Sequence, residues 1–105
     1  MSANQQLQQH ILETLAQYPS YGYRIAQCIL RRAPQLLESK ESALYPVLYQ
    51  LELEGALESW KETAHNQTRR YYRITHKGRG KLVKVDKDLI PAKLSPQLTL
   101  GVQAI

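Results

Sequence analysis

The chain has 105 residues, 43% of them hydrophobic and 22% charged, which describes one ordinary globular domain with or without a tail. Its one cysteine excludes an internal disulfide and a cysteine-rich zinc site, and its three scattered histidines lack ligand spacing, so no metal and no cofactor are expected. A formal net charge of +5 points to a polyanionic partner only if the charge is concentrated somewhere.

No basic-then-apolar leader opens the sequence, and no apolar run approaches the ~18 residues of a membrane helix, so a soluble, cytoplasmic protein with no membrane partner is expected. Residues 1–6 are polar and predict a frayed start of about five residues. Leu7, Ile11, Leu12, Leu15 and Ala16 keep helical spacing and predict a first helix over about residues 5–17. Tyr18-Pro19 stops it, because proline has no N–H and restricts the residue before it. Ser20 is then a candidate N-cap for a second helix over about residues 21–32. Tyr23, Ala26, Ile29 and Leu30 make its apolar side, and Arg24, Gln27 and Arg31 its wet side. Cys28 has no obvious activating partner and reads as a packed thiol. Ala33-Pro34 ends this helix, and Leu36-Leu37 in the following turn or extended stretch plugs the core.

A third helix covers about residues 42–53. Leu44, Val47, Leu48 and Leu51 form its buried stripe, Pro46 must lie in its first turn, and Gly55 ends it. Ser39 and Ser42 are its candidate caps. Ser42, Tyr45, Pro46 and Tyr49 gather on the opposite side, and large aromatics shown to solvent suggest a partner surface. The period then changes to two. Residues 56–62 and 68–74 predict a hairpin around a five-residue polar tip, with Tyr72 and Ile74 toward the core. Trp60 either anchors the base of this hairpin in the core or lines an apolar pocket at a subunit interface; the first is the commoner fate. Thr75 caps a last helix over about residues 76–90, closed by Pro91, and residues 91–105 predict an irregular tail.

The predicted class is therefore mainly α with a small β-hairpin (α+β), in the order α-α-α-β-β-α. Three helices and a two-stranded hairpin make the winged helix-turn-helix plan, with residues 1–75 as the DNA-binding domain. The charge supports this plan: residues 61–84 hold eight Lys/Arg and one acid, Glu62. Basic side chains interleaved with tyrosines suit phosphate contacts. On the third helix Ser42, Tyr45 and Tyr49 can reach phosphates and base edges, Gln50 lies at the margin, and Lys40 precedes it at phosphate distance. No Arg, Lys or Asn stands on that face, which predicts reliance on backbone contacts and DNA shape. The lesser alternative for Tyr45 and Tyr49 is packing on a neighbouring subunit or on the wing. Glu52 and Glu54 read as solvated helix-end acids. Sets for enzyme chemistry are missing: there is no Ser/His/Asp constellation, HExxH motif or phosphate-binding glycine loop.

Tyr21-Gly22-Tyr23, then Ser42-Ala43-Leu44-Tyr45-Pro46-Val47-Leu48 with Leu51-Glu52 and Gly55, then Arg69-Arg70-Tyr71-Tyr72-Arg73-Ile74-Thr75 with Gly78, resemble the PadR family of bacterial transcriptional regulators. The resemblance implies a homodimeric winged-helix protein, usually a repressor, that binds double-stranded DNA at a palindromic promoter site. Some members of the family release DNA on binding a small aromatic effector. By motif position, Ser42, Tyr45 and Tyr49 fall on the recognition helix, and Lys61, Arg69 and Arg70 on the wing; Lys40, Gln50, Tyr71 and Arg73 are further candidate DNA contacts beside them. Tyr21 and Tyr23 fall at the start of the second helix. The family usually opens that helix His-Gly-Tyr, and it dimerises largely through a long C-terminal helix, the role expected here of residues 76–90. The alternative from another class is a winged-helix module that docks another protein through the tyrosine face.

Overall fold

The structure, a computed structural model, describes residues 2–82. Helix α1 (Ala3–Gln17) does not fray at its start as the polar composition suggests. Ser2 and Gln5 form a reciprocal capping box, with Gln5 N donating to Ser2 Oγ at 3.1 Å and Ser2 N to Gln5 Oε1 at 2.9 Å. Leu7, Ile11, Leu12 and Leu15 are its buried stripe.

Pro19 does more than stop α1. The next two residues form a short strand, β1 (Ser20–Tyr21), so Ser20 is buried in a sheet rather than capping a helix. Tyr21 takes the N-cap position of α2 (Gly22–Arg32) without a side-chain cap. The buried face of α2 is Gly22, Ile25, Ala26 and Ile29, an i, i+3, i+4, i+7 set. That phase leaves Tyr23, expected on the apolar side, 52% exposed. Cys28 is half-buried.

Pro34–Leu37 is a 3-10 turn that buries Leu37 completely. Glu38 and Ser39 then take left-handed backbone (φ 51° and 60°) and reverse the chain. The predicted third helix is divided: Glu41–Leu44 is 3-10, and α3 (Tyr45–Leu53) is α-helical with Pro46 in its first turn. Neither Ser39 nor Ser42 caps it. Gly55 (φ 82°) closes it as expected. Gly55 N bonds Glu52 O at 3.0 Å and Ala56 N bonds Leu51 O at 2.9 Å, the paired bonds of a Schellman turn.

Strands β2 (Leu57–Ala64) and β3 (Gln67–Ile74) form the hairpin. Its tip is two residues, not five: His65 and Asn66 both have positive φ (54° and 64°), the I′ geometry that suits the twist of a hairpin. β1 pairs with the free edge of β3, giving the antiparallel order β1-β3-β2. Leu57, Tyr72 and Ile74 face the helices and complete the core. Trp60, expected to anchor that core, lies directly opposite Tyr71 on the other face of the sheet.

The last predicted helix forms as α4 (His76–Lys81) and Leu82 leaves helical geometry (ψ 129°). The rest of that predicted helix and the predicted tail, residues 83–105, lie outside the described residues. Thr75 caps α4, accepting from Gly78 N at 3.0 Å and donating to Gly55 O at 2.6 Å. A β-carbon at Gly78 would collide with the Ala56 carbonyl oxygen and the Ile74 side chain. Gly78→Ala is therefore expected to lower stability by about 2 kcal/mol, as overpacking does. An unchanged Tm would show that α4 lifts from the turn without strain.

Lys81 reaches back to α3, its Nζ 2.7 Å from Glu54 Oε1. The bond from Lys81, then that from Gln50, holds the Glu54 carboxyl below its ordinary value of 4.5. A carboxylate lowered on folding stabilises the fold above its unfolded pKa, and the contribution is lost as pH falls through the folded value. Glu54→Gln is expected to flatten the acid side of the stability profile below the ordinary carboxylate value. Thermal melts through the carboxylate range test this, and superimposable profiles would show the pair to be idle.

Candidate nucleic-acid interface

Three distant segments meet beside the start of α3. Gly22, at the first turn of α2, has no side chain, and the Tyr45 ring occupies the space: a β-carbon there would stand 2.7 Å from Tyr45 Cε1. Tyr21, Tyr23, Tyr45, Arg69 and Arg70 converge around this point and line an open cleft of about 250 Å³, with Tyr72 at its floor. The Tyr45 hydroxyl donates to Glu41 Oε2 at 2.8 Å. Burial, then the Glu41 carboxylate, pushes its pKa up to about 12. The phenol thus stays neutral at any physiological pH, and its proton is already directed at Glu41.

Away from the cleft, the outward side of α3 carries Tyr49, 64% exposed, and Leu53, 70% exposed. Gln50 is exposed but turned along the helix, its Nε2 3.2 Å from Glu54 Oε2. Ser42 is exposed on the 3-10 turn before α3, and Lys40 is exposed in extended backbone ahead of that turn.

The wing's basic residues divide between two faces. Directly opposed residues share a face of the sheet, and Lys61 stands opposite Arg70 as Ser59 stands opposite Tyr72. Lys61 and Arg70 therefore belong to the helix side. On the other side runs a ladder of rings and guanidinium groups. Arg69 lies over the Tyr21 ring at 4.5 Å. Tyr21 contacts Tyr71 with ring centroids 5.5 Å apart, and Tyr71 stacks on Trp60 at 5.9 Å. Arg73 covers Trp60 at 5.7 Å and pairs with Glu58 at 2.7 Å. Tyr71 and Arg73 are thus engaged within the sheet, on the side away from α3, while Arg69 reaches the cleft from its edge.

One group that the sequence did not single out, Ser59, belongs here, and one that it did, Glu52, behaves otherwise than expected. Glu52 Oε2 accepts from Ser59 Oγ at 2.7 Å, so this acid is bonded and half-buried, not solvated. Ser59 Oγ in turn accepts from Arg70 Nη1 at 2.7 Å. The period-two pattern from Leu57 places Ser59 on the helix side, which is the only sequence signal for this contact. Among the described residues no cluster of His, Cys, Asp or Glu could hold a metal, and no helix is long and apolar enough to cross a membrane.

Residues 11–84 match the sequence profile of the transcriptional regulator PadR-like family. The chain belongs to this family. Its PadR-like fold recurs in a PadR family transcription regulator from Clostridium difficile R20291, with TM-score 0.64, 26% identity and coverage of 72% of this chain and 78% of that one. Bacillus subtilis PadR, solved in complex with operator DNA, has TM-score 0.64 at 21% identity over 84% of this chain and 54% of its own, a likeness of fold. An uncharacterized protein of Lysinibacillus sphaericus is 32% identical over 84 residues, 79% of this chain and 77% of that protein. The PadR-like family is one of transcriptional regulators rather than enzymes, and the winged helix described above is its fold.

Proposed function

We propose that this protein binds double-stranded DNA sequence-specifically as a homodimer, on a palindromic promoter site, and represses transcription from it in the cytoplasm, on the nucleoid when bound. The observation that carries the reading is the convergence of Tyr21, Tyr23, Tyr45, Arg69 and Arg70 from three segments onto one surface between α3 and the wing. The phenols of Tyr21 and Tyr23 and the forked guanidinium groups are suited to phosphate oxygens, with Tyr45 held by Glu41 between them, and the exposed side of α3 fits a major groove. Lys40, Ser42, Tyr49, Gln50 and Lys61 extend that surface. Tyr71 and Arg73 act from behind, stiffening the wing. Residues 1–75 form the DNA-binding unit, and residues 76–90 contribute to dimerisation. The Bacillus subtilis protein of the same fold, held on operator DNA, supports the choice of partner. No cleft is assigned to a small aromatic effector: among the described residues, those beside Tyr45 and Trp60 are open and carry ionic side chains.

Selection of duplexes from a random DNA pool tests the proposal. A two-fold consensus with half-sites about one helical turn apart is expected for a dimer. A second reading, docking of a protein partner, is favoured by the exposed Tyr49 and Leu53 pair one turn apart on α3. It predicts no enriched sequence and binding that is little affected by salt, whereas phosphate contacts make binding fall steeply with salt.

A further inference from the structure

Glu52 stands in the last turn of α3, where the helix already carries the negative end of its dipole. An acid there is unfavourable for the helix and for any nearby polyanion. Its carboxylate is nevertheless bonded to the wing. The hydroxyl of Ser59 has one proton; it donates to Glu52 and accepts from Arg70, so the three groups form a directional chain with an ion at each end. The chain joins α3 to β2 and β3, running diagonally across the hairpin beside the buried Tyr72. Burial pushes the Tyr72 phenol up, while Arg70 pulls it down and Glu52 pushes it up, so both ions act on the same ring.

We infer that Glu52 is a positioning residue for DNA binding: through Ser59 it fixes the Arg70 guanidinium on the helix side of the wing. The inference rests on the DNA-binding reading above. Among the described residues Arg70 makes one bond, through Nη1, which leaves its other N–H groups to meet a phosphate. Held this way, the wing and α3 present their donors at a fixed separation, and less side-chain entropy is lost on binding.

The test is the affinity of the full chain for the selected duplex across a salt series. Coulomb's law alone predicts that Glu52→Gln, which removes a negative charge near a polyanion, tightens binding. Positioning predicts the opposite sign. Glu52→Gln keeps an amide oxygen for Ser59 but loses the ion that holds the chain. It is expected to weaken binding by up to about tenfold and to reduce the salt slope by up to about 0.9 as the Arg70 phosphate contact weakens. Ser59→Ala should do the same, and Ser59→Thr, which keeps a hydroxyl, should restore binding. In an Arg70→Ala background Glu52→Gln should weaken binding no further. A merely structural role would lower Tm without moving the slope. If Glu52→Gln fails to fold, the two Ser59 variants carry the comparison. Equal or tighter binding with an unchanged slope overturns the inference, as does an equal loss in the Arg70→Ala background. A wild-type chain that enriches no duplex overturns the DNA-binding reading itself, so the two failures are distinct.

Discussion

The double variant Arg69→Ala, Arg70→Ala is expected to bind the selected duplex about a hundredfold more weakly than wild type, and its salt slope is expected to fall by about 1.8. The magnitudes follow from two charge-assisted contacts worth at least about 1.4 kcal/mol each, tenfold per contact, and about 0.9 of slope for each phosphate neutralised. Both arginines are exposed, so the fold should persist with a stability change of at most about 1 kcal/mol. The single variants should differ. Arg70 belongs to the helix side of the wing with Lys61, while Arg69 comes from the ladder side and reaches the cleft over the Tyr21 ring. Arg70→Ala should remove a phosphate contact together with its bond to Ser59. Arg69→Ala also uncovers Tyr21 and should show a small loss of Tm beside its loss of affinity. Affinity titrations at several salt concentrations separate the cases. Full affinity in the double variant would remove the wing from the interface and leave α3 to act alone.

The division of those arginines was legible before any coordinates, because alternation along a strand sends neighbours to opposite faces. So was the placement of Tyr72 and Ile74 in the core, and of Gly55 at the end of α3. The same alternation, counted from Leu57, puts Trp60 on the outer face; its size suggested a core anchor, but its phase decides. Phase likewise decides Tyr23: its apolar ring suggests the buried side, but the period of Ile25, Ala26 and Ile29 turns it outward. Strand β1 could not be read at all. Two residues show no period, and their partners Tyr71 and Tyr72 lie some fifty positions on. The capping box was hidden by the polar composition of the first residues, although Ser2 and Gln5 have its spacing.

The candidate site divides along the same line. Its residues could be named one by one from charge and motif, but their convergence on Gly22 required the fold. Tyr45 fills the space that Gly22 leaves, and that contact joins the starts of α2 and α3. The acids at the end of α3 were equally opaque. Glu52 and Glu54 look alike in the sequence, yet one is tied to the wing through Ser59 and the other to α4 through Lys81. Such partners lie beyond the range of helix periodicity, so local pattern carries no record of them.

Tyr49→Ala is expected to reduce discrimination between the selected duplex and random DNA by about tenfold or more, with little change in stability. Tyr49 is 64% exposed, and its outward position on α3 places it near the middle of the helix that would enter the groove. No Arg, Lys or Asn on α3 offers a forked contact to a base, and the amide of Gln50 is turned toward Glu54. Tyr49 therefore carries much of whatever direct readout this helix performs, through its hydroxyl and through the apolar edge of its ring. Loss of a base-edge contact is worth about 1–3 kcal/mol of discrimination, whereas removal of an exposed side chain changes stability by about 0.5 kcal/mol or less. The two quantities come from competition binding and from thermal melting of the same variant. A large fall in Tm with discrimination intact would make Tyr49 a packing residue, for example against a second subunit. Loss of discrimination with the salt slope preserved would separate the two parts of the surface, with α3 reading the sequence and the wing supplying the phosphate contacts. That separation is what the geometry favours, because Lys61, Arg69 and Arg70 lie on the wing while the exposed phenol of Tyr49 lies on α3.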